Sequence, residues 1–366
     1  MSKNNSVWKK VSIAAQTGFP TLLWGEPGIG KTAQIVQMAE SFDCHLETVI
    51  ASIREPSDFA GLPVVTSDGS VRFAPPAWAE SLIHTKKRGM LFLDEISTAP
   101  PATQAALLRV VLDKVIGEQQ LPESTLIVAA ANPPECAAGG WDLAPPLANR
   151  FFHFEIKPRV DEWCDWALGI PSKDKYTTLP KTWKARKPEM MALISSFIKS
   201  RQSQLQAMPE NANSSRSWAS PRTWEMAGSA LAACLSIGEP RSGDISTNLV
   251  AAAVGEAAAI ELTAYLGKVE LPDPEDLLKN PAIWDVKKER SDLVYAVLAS
   301  VVGAVAATNT IPRWTASWAV VARVNEAGKP DVALTAAHSL AKIRPEGAKA
   351  PKELNMFPKF LRKCMS

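Results

Sequence analysis

Residues 25–32 read GEPGIGKT and fit the phosphate-binding pattern G-x-x-x-x-G-K-[ST] at every fixed position. The pattern constrains the fold because it needs a strand before it and a helix after it. Both are present. Residues 21–24 (TLLW) read as a short buried strand. Residues 32–42 read as an amphipathic helix, with Ile35, Met38, Ala39 and Phe42 on one side. The loop Gly25, Glu26, Pro27, Gly28, Ile29, Gly30, Lys31 and Thr32 therefore joins a strand to a helix N-terminus, where unpaired N–H groups and the helix dipole favour anions. In such a loop the glycines let N–H groups curl around phosphates. Lys31 reaches the β- and γ-phosphates, and the Thr32 hydroxyl ligates Mg²⁺.

The alternation continues downstream. Residues 46–51, 89–93, 126–130 and 151–156 are short apolar or β-rich runs, with helical patterns such as residues 103–111 between them. This order predicts an α/β fold with a parallel sheet covered on both faces. Sites on such sheets lie at the carboxyl ends of the strands. Two segments break the pattern. Residues 61–73 carry Asp68-Gly69 between apolar flanks, a hairpin signal, and residues 115–122 read as a second hairpin. After about Pro158 strand signals fade. Ala-rich helical stretches follow at residues 161–168, 188–206, 221–236, 245–266, 292–307 and 315–325. The boundaries expected from this change are an α/β nucleotide-binding core at 1–158, a helical lid at 159–270 and a C-terminal helical extension at 271–366.

Two strand ends carry chemistry. Residues 90–93 are apolar and run into Asp94 and Glu95. After a phosphate-binding loop, Asp94 holds the Mg²⁺ shell and Glu95 polarises an attacking water as general base. The pair favours hydrolysis over transfer to a small molecule. Residues 126–131 end in Asn132, whose amide could orient that water or touch the γ-phosphate.

Bulk properties exclude several classes. With 366 residues, 46% of them apolar and 21% charged, the chain can bury a sizeable core. The net charge of +2 gives no electrostatic case for nucleic acid or acidic lipid. Five scattered cysteines form no C-x-x-C pair and suit reduced thiols in a cytoplasm. The longest apolar run, residues 293–307, is shorter than the roughly 18–20 residues that span a bilayer, so no membrane span is expected. The first ten residues hold no signal-peptide core.

The set GEPGIGKT, FLDE at 92–95, AAANPPE at 129–135 and Asn149-Arg150-Phe151 resembles AAA+ ATPases, and within them the MoxR family. SIREPSDFAGLP at 52–63, GWDL at 140–143 and Ser220-Pro221-Arg222 strengthen the narrower likeness, which covers roughly residues 10–270. The resemblance implies a P-loop AAA+ core with a five-stranded parallel sheet between helices and hairpin insertions, followed by an all-α lid and a C-terminal helical portion. It implies ATP and Mg²⁺ as cofactors. It gives Asn132 the "sensor 1" role, Arg150 that of an arginine finger acting in the neighbouring subunit, and Arg222 the "sensor 2" role. A site finished from next door implies a homo-oligomeric ring, and the family suggests a hexamer.

The resemblance also implies chaperone-like activation of a protein substrate, often with a separate von Willebrand A-domain partner. A helicase loader or restriction-type motor, and a nucleotide-gated scaffold with little turnover, are the alternative readings. Val71, Phe73 and Trp78 are candidate substrate contacts on or near the first hairpin. Trp163, Trp166, Trp218 and Trp224 read as lid packing.

Overall fold

A computed structural model of the chain describes residues 7–136, 141–170, 175–209 and 217–357. It divides into two compact units, interleaved along the sequence. One comprises Met1–Thr178, Gln206–Ala227 and Asn248–Ala258; the other comprises Leu179–Leu205, Gly228–Thr247 and Ala259–Ser366.

The first unit is built on α1 (Val7–Gln16), β1 (Thr21–Trp24), α2 (Lys31–Ser41), β2 (Cys44–Ile50), α3 (Ser57–Ala60), β3 (Leu62–Val65), β4 (Val71–Ala74), α4 (Ala77–His84), β5 (Arg88–Asp94), α5 (Pro101–Asp113), β6 (Val115–Ile116), β7 (Gln119–Gln120), β8 (Leu126–Ala131), α6 (Pro145–Ala148), β9 (Phe152–Glu155) and α7 (Val160–Ala167). Five strands form one parallel sheet in the order β2-β5-β8-β1-β9. This is the expected α/β core. Residues 90–93 of β5 and 126–131 of β8 are buried throughout, the continuous apolar run of a strand covered on both faces. The two expected hairpins are present as β3–β4 and β6–β7, each antiparallel.

Register fixes the functional edge. Trp24 pairs with Ala131, Leu93 with Ala129, and Ile50 with Asp94. The residues that follow these strands therefore emerge at one level. Behind them, Leu22, Leu91, Leu93, Ile127, Leu107 and Phe151 belong to a single buried cluster that fixes strand positions.

The second unit is all-helical among its described residues. The remaining helices of the chain are α8 (Lys187–Ser200), α9 (Pro221–Ser236), α10 (Asp244–Val254), α11 (Glu256–Lys268), α12 (Pro274–Lys279), α13 (Ser291–Ala307), α14 (Ile311–Glu326) and α15 (Pro330–Lys342). α13 packs on α8 and α15. Trp314 and Trp318, both fully buried, centre the C-terminal cluster, and the Trp314 indole donates to the Leu340 carbonyl at 2.8 Å. Arg313 clamps both Glu275 oxygens at 2.6 Å. No described helix is long and apolar enough to cross a membrane.

One expected helix is two. The pattern at residues 245–266 breaks between α10 and α11 at Gly255, whose φ of +89° is left-handed. A Cβ there would also lie 3.1 Å from the Ser217 carbonyl oxygen. Gly267, inside α11, meets only a distant Cβ at 4.0 Å. The two glycines should thus respond oppositely to alanine. Gly255→Ala is expected to destabilise by roughly 1–2 kcal/mol through left-handed strain, and Gly267→Ala to stabilise by about 0.5–1 kcal/mol through helix propensity. Denaturant unfolding of the two variants checks the signs.

Candidate functional site

The phosphate loop is strapped to the central strands by its first residue and its lysine. The Gly25 N–H donates to the Ala131 carbonyl at 3.2 Å, continuing the β1–β8 ladder into the loop. Gly30 sits at the N-cap of α2 with φ +85°, a left-handed conformation that side chains with a Cβ adopt at a cost. The loop then opens α2, with its unpaired N–H groups at the expected place.

Lys31 is only 9% exposed. Its ammonium donates to the Gly25 carbonyl at 2.7 Å, the Glu26 carbonyl at 3.0 Å and Asn132 Oδ1 at 3.1 Å. All three of its protons are thereby engaged. Burial pushes its pKa down from the usual 10.5; Asp94, Cys136 and Glu95 oppose that shift. Thr32 follows on α2, and its hydroxyl donates to Asp94 Oδ2 at 3.1 Å. The other Asp94 oxygen accepts the Glu95 N–H at 2.9 Å.

Glu95 itself is unusual. Its φ of 57° and ψ of 36° place a non-glycine residue in the left-handed region, a strain of roughly 1–3 kcal/mol that clusters at functional sites. Its carboxylate accepts the Ser52 hydroxyl, which comes from the end of β2. Nothing in the sequence connects these two residues, because parallel pairing of β2 with β5 brings them together. The motif SIREPSDFAGLP signals the segment but gives no role for its serine. Ser97 adds a further brace, accepting the Asn132 N–H and donating to the Asn132 carbonyl, both at 3.3 Å.

Lys31, Thr32, Asp94, Glu95 and Asn132 thus converge at the carboxyl edge of the sheet. Arg150 and Arg222 do not join them. Each makes no hydrogen bond to the loop, Asp94, Glu95 or Asn132 among the described residues. Burial lowers the Arg150 pKa; the Arg222 charge adds to that shift and Asp113 opposes it. Arg150 Nη1 donates to the Pro146 carbonyl, while its buried Nε has no partner among the described residues.

The segments that carry these arginines are tied together locally. Ser220 and Thr223 form a reciprocal cap at the start of α9: the Ser220 N–H donates to Thr223 Oγ1 at 2.8 Å and the Thr223 N–H to Ser220 Oγ at 3.3 Å. Ser220 Oγ also donates to Asn149 Oδ1 at 2.8 Å, which ties the start of α9 to the residue before Arg150.

The aromatic expectations need correction. Trp218 and Trp224 are buried, but Trp218 packs in the cluster behind the sheet and not in a helical lid. Trp163 and Trp166 are not buried: they stand 63% and 62% exposed on α7, none of whose residues is buried. Trp78 is a buried core residue on α4, tilted against Phe59, and so is no surface contact. Val71 and Phe73 remain exposed on the hairpin. Gly140 of the GWDL motif lies outside the described residues.

Residues 20–153 match the family profile described as "ATPase family associated with various cellular activities (AAA)". This segment is an AAA-family ATPase domain of the MoxR type. The match covers the loop, Asp94, Glu95, Asn132, Arg150 and four whole strands of the sheet, and ends within β9, before α7 and Arg222. A search of curated proteins found no match to the chain. A solved structure from Cytophaga hutchinsonii, described as a candidate ATPase, is 16% identical over 72% of this chain and 88% of its own, with a TM-score of 0.44.

The buried state of Lys31 has a pH consequence for the AAA domain. Anion binding needs the ammonium, and a bound phosphate raises its pKa. Affinity therefore falls as pH climbs through the pKa of the free protein, which burial sets below 10.5. Calorimetric titration with ADP from about pH 7 to 10 should show this loss. Lys31→Arg, charged throughout that range, should flatten the profile even if it binds more weakly.

Proposed function

We propose that the chain is an ATP-hydrolysing ring ATPase of the MoxR type that remodels or activates a partner protein. The observation that carries this reading is the convergence of Lys31, Thr32, Asp94 and Asn132 beside Glu95. The loop N–H groups and the α2 N-terminus would cradle the phosphates. Lys31 would exchange its loop carbonyls for β- and γ-phosphate oxygens.

The donor set fits Mg²⁺. Thr32 Oγ1 and Asp94 Oδ2, hard oxygens 3.1 Å apart, stand where the phosphates would end. No group of three or more acidic, His or Cys side chains suited to a metal occurs among the described residues. That suits Mg²⁺, which takes one or two protein oxygens together with water and phosphates. When bound, the ion neutralises charge on the phosphates. Glu95 makes no ion pair among the described residues and is the group left to take the proton of an attacking water. The Asn132 amide uses its oxygen on Lys31, which leaves its N–H donors for that water or the γ-phosphate.

Arg150 supports a ring. It does not serve its own loop, and a guanidinium delivered from a neighbour can be worth roughly 10³–10⁵ in rate. Head-to-tail interfaces whose rotation closes form rings, here a hexamer by the family resemblance. Arg222 would reach the nucleotide from the helical side. Hydrolysis would then move the helical segments after residue 158, a lid at 159–270 and an extension at 271–366, against the core. The apolar hairpin β3–β4, exposed at Val64, Val65, Val71 and Phe73, supports contact with a protein partner, for which a separate von Willebrand A-domain protein is the leading class. The free thiols among the described residues suit a cytoplasmic setting.

Lys31→Ala is expected to abolish nucleotide binding. Glu95→Gln should keep binding and reduce hydrolysis by at least about 10²-fold, as loss of a general base does; wild-type turnover in that variant would remove Glu95 from the role. Mixtures of Arg150→Ala and Lys31→Ala subunits, each inactive alone, should recover some ATPase activity. Absence of recovery, with a monomeric mass at every ATP concentration, would remove the ring.

A further inference from the structure

The phosphate chemistry leaves one conspicuous feature beside the loop unused. Trp163 and Trp166 hold their indoles in the open, on a helix that buries none of its side chains. Both line a cavity of about 360 Å³ whose floor is the phosphate loop at Pro27, Gly28 and Ile29. That volume lies at the small end of the roughly 300–1,000 Å³ range of small-molecule sites. The two tryptophans belong to an exposed apolar stretch that also includes Val160, Leu168 and Ile170, and contiguous apolar surface of this kind marks binding sites.

The chemistry of the walls narrows the ligand. Polar groups at the rim are already engaged. Arg159 donates to Glu162 at 3.3 Å. The Gln34 carbonyl and side-chain oxygens accept the Tyr176 hydroxyl at 2.9 and 3.1 Å. What remains is flat, aromatic and apolar surface, one loop's width from the phosphate site. A planar, weakly polar ring covalently tied to a phosphate chain matches both halves.

We propose that Trp163 is the stacking platform for the purine base of the bound nucleotide, with Trp166 flanking it. Both indoles line this cavity, and Trp166 also borders a neighbouring one lined by Glu40 and Asp165, so Trp163 is assigned the primary contact. The base is therefore held chiefly by its faces. This rests on the reading of residues 25–32 as the phosphate loop and names the residue that completes that site.

The test separates base from phosphates. Binding of ADP and of inorganic tripolyphosphate is measured calorimetrically on the wild type, Trp163→Ala, Trp163→Phe and Lys31→Ala. Trp163→Ala is expected to weaken ADP by about 5- to 150-fold, the range that base–aromatic stacking covers, and to leave tripolyphosphate within about twofold. Trp163→Phe should recover most of the ADP affinity. Unchanged ADP affinity in Trp163→Ala overturns the proposal, as does equal loss of both ligands. So does a change in oligomer mass with ADP affinity intact, which would place Trp163 at a subunit contact. If Lys31→Ala binds tripolyphosphate as the wild type does, the phosphate-loop reading itself fails, and the proposal with it.

Discussion

The site depends on parallel register. Because β2, β5, β8 and β1 run in the same direction and pair in step, their carboxyl ends finish at one level. Asp94 ends β5, and Gly25, Glu95 and Asn132 are the first residues beyond β1, β5 and β8. The Gly25–Ala131 hydrogen bond extends the ladder past the sheet and fixes where the loop begins. A slip of one residue in the β5–β8 or β8–β1 pairing would offset the strand ends by about 3.3 Å and separate Thr32 from Asp94. The apolar strand interiors that look like plain packing are what hold this geometry.

Much of this was legible because it is local. A fixed motif between a strand and a helix needs no tertiary information. Residues 90–95 announce themselves by an apolar run that ends in two carboxylates. Both hairpins, and the strands of the sheet to within a few residues, follow from turn chemistry and apolar runs. The sequence was less informative where structure arises from distant partners. The Ser52–Glu95 contact exists only because two strands far apart in sequence lie side by side. The left-handed backbone at Glu95 is imposed by its surroundings, since glutamate has no preference for it.

Two errors are instructive for the same reason. Trp163 and Trp166 look like Trp218 and Trp224 in the sequence, yet one pair faces solvent and the other is buried, because burial depends on which elements lie opposite. The segment 245–266 has an unbroken helical composition apart from a single glycine. One glycine is tolerated inside many helices, so only the backbone conformation at Gly255 shows that the chain turns there. The family profile, which ends at residue 153, could not have resolved either point.

The interleaving of the units bears on how the protein is made. The sheet is finished when β9 ends at Glu155, but Trp218 belongs to its buried cluster, and residues 248–258 belong to the same compact unit. A nascent chain that has released all five strands from the ribosome still lacks part of its own core. The α/β body thus stays open until translation has passed Ala258, with the apolar surface awaiting Trp218 uncovered meanwhile. The interval is a period of exposure to chaperones and to aggregation that a contiguous domain of the same size would not have.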